Sequence, residues 1–174
     1  MAAFTVIDHE ELTGAAASWT STTIPSSYDH LHLVVSGRTD QVAYYSAQMI
    51  RFNGDTGSNY SATNLYTFGS GLGSDVNDTT GIGYPMVSGA STLADTFGVI
   101  TAWIPNYANT SNYKQAICSS TAENNSTTNN FWQLRLTAGL WQSTAAITSV
   151  TVVGLTGDDF QQYSTFTLYG VTGA

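Results

Sequence analysis

A chain of 174 residues with 9% charged side chains and a formal charge of −8 is long enough to bury one core without disulfides or a structural metal. Its 26 Thr and 19 Ser stand against three Glu and one Lys. The residues that build the solvent faces of helices are therefore missing, which excludes all-helical and helix-rich α/β folds. Four isolated cations, Arg38, Arg51, Lys114 and Arg135, cannot track phosphates or an anionic bilayer, so neither nucleic acid nor a membrane is an expected partner.

The N-terminal stretch 1–14 lacks the basic and apolar regions of a signal peptide and reads as a short extension. Residues 15–174 read as one domain, without an internal repeat. Strand-like runs follow one another at 4–7, 15–23 (ended by Pro25), 28–36, 42–53 and 59–68. In 28–36, Leu31, Leu33 and Val35 alternate with His30, His32 and Val34, as a half-buried strand requires. The density of Gly, Ser, Asp and Asn over 69–80 predicts a long surface loop. Pro85 demotes 82–87 to an edge strand or a loop. A short helical turn fits only at 91–95. The run 96–104 is apolar at both parities, which predicts a central strand covered on both faces. Strands are then expected at 113–121, 131–137, 147–153 and 165–171, with 123–130 as an exposed loop tip. In 131–137 the alternation predicts Trp132, Leu134 and Leu136 inward and Gln133 and Arg135 outward. Recurring strands without a helical period predict an all-β, antiparallel jelly-roll β-sandwich. Its predicted core is Leu31, Leu33, Phe52, Trp103, Trp132, Leu134, Leu136, Phe166 and Leu168.

Candidate chemistry is sparse. His30 and His32 share a strand face, as two metal-binding imidazoles would, but a zinc site needs further ligands and only His9 remains. A polar strand face with ordinary hydrogen bonds is the favoured reading. Asn53-Gly54-Asp55-Thr56-Gly57-Ser58-Asn59 has the oxygens of part of a calcium loop. Asn64 stands where the twelfth-position Glu belongs, so a turn is expected instead. Asp158-Asp159 would need opposing cleft walls to hydrolyse a sugar, and adjacent carboxylates on a loop are expected to diverge into water. The order of Gly69-Ser70-Gly71-Leu72-Gly73 fits neither a nucleophile elbow nor a phosphate cradle. Cys118, the single cysteine, reads as a small buried hydrophobe. No catalytic, cofactor-binding or metal-binding residue is therefore assigned, and no cofactor is expected. Tyr44, Tyr45, Tyr60, Tyr66, Tyr107 and Tyr113 flank turns or strand ends, where half-covered rings suit a subunit interface or a sugar-stacking platform.

Five segments carry a resemblance: Tyr28-Asp29-His30-Leu31-His32-Leu33-Val34-Val35-Ser36-Gly37-Arg38, Arg51-Phe52-Asn53-Gly54-Asp55-Thr56-Gly57-Ser58-Asn59-Tyr60, Ile104-Pro105-Asn106-Tyr107, Gly139-Leu140-Trp141 with Ala146-Ile147-Thr148-Ser149-Val150, and Phe166-Thr167-Leu168-Tyr169-Gly170. They resemble a jelly-roll module of the structural proteins of tailed bacteriophages. The resemblance implies a virion component, found in that family as a capsid decoration (cement) protein or at the end of a tail fibre, with no catalytic residues. A chain read from Met1 without a fibrous stalk favours decoration of the capsid surface after synthesis in the host cytoplasm. The expected partners are then the major capsid protein and further copies of the chain, as a homotrimer. The alternative is a tail-fibre or head-surface module that binds a receptor or a host-surface glycan.

Overall fold

The computed structural model describes residues 3–68, 71–125 and 133–173. Hydroxyl, β-branched and aromatic residues fit a pleated surface, and among the described residues they form twelve strands and no helix. An eight-stranded sheet runs in the order β1 (Ala3–Glu11), β12 (Thr165–Thr172), β3 (His30–Gly37), β8 (Gly98–Pro105), β9 (Lys114–Ala122), β10 (Gln133–Trp141), β5 (Tyr60–Phe68) and β6 (Gly71–Thr79). A four-stranded sheet runs β2 (Ser18–Thr20), β11 (Val150–Gly154), β4 (Tyr45–Phe52) and β7 (Ile82–Ser88). Every strand pair is antiparallel. The pairs β3–β12, β4–β11 and β5–β10 nest inside one another and alternate between the sheets. That is the winding of a jelly roll, a long hairpin folded back on itself. The stretch read as an extension supplies the edge strand β1 of the large sheet, and Leu12 at its end enters the core.

Between the sheets, Leu31, Leu33 and Val35 of β3, Ile100, Ala102 and Ile104 of β8, and Phe166 and Leu168 of β12 meet Ile50, Phe52, Val150 and Val152 of the small sheet. Trp19 stacks on Phe166 at 5.2 Å, and Phe160 meets the same ring edge-on at 5.0 Å. Leu31, Leu33, Phe52, Phe166 and Leu168 are thus core residues, as their alternation predicts.

Four expectations are overturned. Residues 71–79, read as loop, are strand β6, paired along its length with β5. Gly73 is an adaptation to that place, since a Cβ there would lie 2.6 Å from the Tyr66 ring. The run 96–104 is covered by the second sheet on one face only: Val99 and Trp103 point away from the core, Val99 exposed and Trp103 half-buried against the His30 and His32 rings. The third correction is β10, where Gln133, Arg135 and Thr137 are buried while Leu134 and Leu136 are 56% and 45% exposed. The reason lies at the far end of the strand. Gly139 passes beneath Ile82, 2.5 Å from where its Cβ would stand, and Trp141 is buried beside Phe52 and Tyr60. Side chains alternate with a period of two, so placing Gly139 and Trp141 inward also turns Arg135 and Gln133 inward. Trp132 lies outside the described residues. No helical turn forms at 91–95. That segment is instead held by Arg38, which donates to Thr92 Oγ1 at 2.7 Å and to the carbonyls of Ala90, Leu93 and Thr96.

Alanine substitution separates the two faces. Leu33→Ala should cost about 2–5 kcal/mol of stability, whereas Leu136→Ala should stay within about 0.5 kcal/mol. Urea unfolding of both variants checks this, and equal losses would contradict the inverted face of β10.

Candidate functional site

Four strands cannot roof eight, and the mismatch leaves two surfaces of functional interest. The first is the outer face of the large sheet. Across β12, β3, β8, β9, β10 and β5, the pairing register brings Tyr169, His32, Trp103, Ile117, Ala138 and Thr63 into one row. Leu136 and Leu65 pair in the next row. No outward position on those six strands carries Lys, Arg or a carboxylate. At its β1 end Phe4, His32, Trp103 and Tyr169 form an aromatic cluster with ring centroids 5.8–6.3 Å apart.

All three histidines occupy this face or its margin; His9 and His30 make ordinary hydrogen bonds, whereas His32 Nδ1 is buried without a partner. His9 Nδ1 is 2.8 Å from Thr167 Oγ1, and His30 Nδ1 accepts from the Asn106 N–H at 3.2 Å. His32 lies among the rings, and burial lowers its pKa. No group of three or more His, Cys, Asp or Glu placed to hold a metal occurs among the described residues.

The second surface is a cleft of about 670 Å³ where the small sheet ends at β7. Its walls come from β4, β7, β5, β6 and β10, with Leu155 and Thr156 from the loop after β11. One extra residue on β7 makes a bulge opposite Ala47–Met49, which accommodates Pro85. Bulges re-aim side chains, and here Tyr84 adopts a left-handed backbone with φ of 78°. The Arg135 guanidinium lies 4.3 Å from the Tyr66 ring centroid and 5.4 Å from that of Tyr84. Cation–π contact holds it there. Its nearest carboxylate, Asp75, is 3.7 Å away, beyond hydrogen-bond distance. Burial pulls the Arg135 pKa below its ordinary value, and Asp75 with the surrounding tyrosines offsets part of that. Arg135 Nε and Nη1 and Gln133 Oε1 are buried without hydrogen-bond partners.

The motifs singled out in the sequence fare differently. Asp55 accepts from the Gly57 N–H, Asn59 Nδ2 and Trp141 Nε1 at 2.8–2.9 Å. Its oxygens serve the fold, in the expected turn, where Asn53 and Gly54 both have positive φ. Cys118 is buried on β9, with its thiol pushed up to about 12 by burial. Tyr60 and Tyr107 are core residues, against the half-covered position expected of them. Tyr44, Tyr45 and Tyr66 are half-buried and Tyr113 is exposed.

Asp158 does not diverge into water. It is buried and accepts from Ser46 Oγ and from Thr156 Oγ1, with Gln48 Nε2 donating in turn to Ser46 Oγ at 2.7 Å. Arg135 and Gln133 are the residues missed by a reading of the sequence. The available signal was their shared parity with Gly139 and Trp141.

No family model matches the chain, and no curated protein matches it. Among solved structures, that of the alginate lyase Aly36B is similar over 88% of this chain and 73% of its own, with 11% identity and a TM-score of 0.31. A likeness of that size carries no argument about this chain.

The Asp158 network sets a pH dependence. Burial alone would raise its carboxyl pKa, but the hydrogen bonds from Ser46 and Thr156 outweigh it and hold the group below the ordinary carboxylate range. A depressed folded pKa gives stability that is present above the unfolded value, about 3.9, and lost as pH falls through the folded one. Asp158→Asn should therefore cost about 1–3 kcal/mol at pH 7. The gap to the parent should narrow below about pH 4, as read by denaturant unfolding across pH.

Proposed function

We propose that the chain is a structural protein of a phage virion, a capsid decoration (cement) protein that acts through contacts rather than catalysis. The observation that carries this reading is the outer face of the large sheet, which is uncharged across its six inner strands, β12, β3, β8, β9, β10 and β5. Ile117, Leu134 and Leu136 stand there about half exposed, beside a cluster of aromatic rings.

Copies of the chain are the occupant that suits this face. Each brings a formal charge of −8, and contact through a surface without charges keeps those carboxylates apart and desolvates none of them. Six strands at about 4.8 Å, each about eight residues long at about 3.4 Å per residue, present on the order of 800 Å². A stable interface needs roughly 800 Å² per partner. In a homotrimer each copy would divide this face between two neighbours, and the assembly would match the three-fold and quasi-three-fold junctions of a shell, touching several major capsid proteins at once. Strand β1 ends the large sheet, and its open edge offers main-chain groups for strand addition by a shell protein.

Light scattering on the purified chain should give about three times 18.5 kDa. Added to phage heads that lack it, the protein should raise the temperature at which they burst. Ile117→Glu with Leu136→Glu should yield a folded monomer without that effect. A parent that stays monomeric at high concentration and leaves head stability unchanged would defeat the proposal.

A further inference from the structure

The cleft under the β7 bulge plays no part in assembly through the outer face, and its chemistry points to a small ligand. Of the four cations, all within the described residues, three are used by the fold. Arg38 bonds the 90–96 segment, Arg51 donates to the Thr80 carbonyl at 2.9 Å, and Lys114 donates to the carbonyls of Asn112 and Thr144. Arg135 makes no such bond. It is 5% exposed, held between tyrosine rings, with two N–H groups unmet and one carboxylate loosely beside it. Buried charge without hydrogen bonds is destabilising unless something else meets it. A second unmet group, Gln133 Oε1, lines the same cleft and requires a donor.

A ligand that answers both groups carries a carboxylate and a hydroxyl within a few ångströms of each other. The remaining walls, Leu72, Met86 and Leu155 with the tyrosines, are apolar and suit the C–H face of a sugar ring. We propose that this cleft binds an acidic sugar, a carboxylate-bearing pyranose of the uronic or sialic acid class, with the carboxylate on Arg135 and a ring hydroxyl on Gln133. The volume of about 670 Å³ admits a short oligosaccharide rather than a protein segment with its own side chains. Asp75 then acts as a competitor: it occupies the neighbourhood of the guanidinium in the free protein and repels the incoming acid.

The test uses the intact chain and calorimetric or ligand-observed NMR titration with four probes. These are trigalacturonate, N-acetylneuraminic acid, neutral galactose oligomers and a triglutamate peptide. An acidic sugar should bind at least tenfold more tightly than the neutral one. Arg135→Met should weaken that binding at least tenfold while the protein stays folded, because an apolar side chain of similar length replaces a buried charge. Asp75→Asn, on the cleft margin, should strengthen it severalfold, a change that a purely structural arginine would not produce. Equal binding of acidic and neutral sugars, no saturable binding of any sugar, or binding of the peptide alone would overturn the assignment. So would an Asp75→Asn variant that binds no more tightly than the parent.

Discussion

The width of the two sheets is the constraint on which the molecule depends. A sheet buries one face only where another layer lies over it, and here four strands oppose eight. The core is therefore concentrated under the small sheet, where Ile50, Phe52, Val150 and Val152 meet β3, β8 and β12. Beyond β7, the inner face of β10, β5 and β6 opens into the cleft. On the other side, the outer face of the large sheet has no covering layer among the described residues. Both surfaces that invite contact follow from this one inequality.

The interior accommodates its polar groups unevenly. Asp158, Ser46, Gln48 and Thr156 form a connected set, and Thr137 Oγ1 donates to Asn64 Oδ1 at 2.6 Å. Tyr107 donates to the Pro25 carbonyl and Ser120 Oγ accepts from the Met86 N–H, tying loops and the β7 edge to the large sheet. Such bonds make a hydroxyl-rich sequence compatible with a closed core, since a buried polar group is tolerated when it is paired. Single neutral atoms elsewhere, such as Trp19 Nε1, Gln48 Oε1 and Asn64 Nδ2, are also unpaired, but Arg135 is the one Lys or Arg side chain among the described residues with unpaired buried atoms, and it lies with Gln133 where β7 bulges and Tyr84 takes an unfavourable φ. Local rules are most often broken where a protein keeps a binding surface, and here three breaches coincide in one cleft.

The two proposed roles use opposite parities of the same strand. On β10, Leu134 and Leu136 would serve assembly, whereas Gln133 and Arg135 line the cleft. A protein that studs a shell and also holds an acidic sugar would present many weak sites in a fixed array. Repetition would then raise the avidity for a glycan-covered surface without tighter individual contacts.

Much of the fold was legible in the sequence. Period-two alternation in β3 and β12 places Leu31, Leu33, Phe166 and Leu168 inside, because a half-buried strand sorts its own faces by polarity. The Asn53-Gly54 turn was equally plain, since few residues accept consecutive positive φ. What the sequence could not decide was which face of a two-sided strand meets the core. Trp103, Leu134 and Leu136 look like core residues locally, and Arg135 looks like a solvent cation. The contact of Gly139 with Ile82 and the burial of Trp141 set their parity from the far end of β10. Strand β6 was hidden for a related reason: its Gly, Ser and Asp content speaks for a loop until β5 supplies a partner for its backbone. Polarity along a strand is a local property of the sequence. Which face is roofed depends on the packing of the second sheet, and only the tertiary structure contains it.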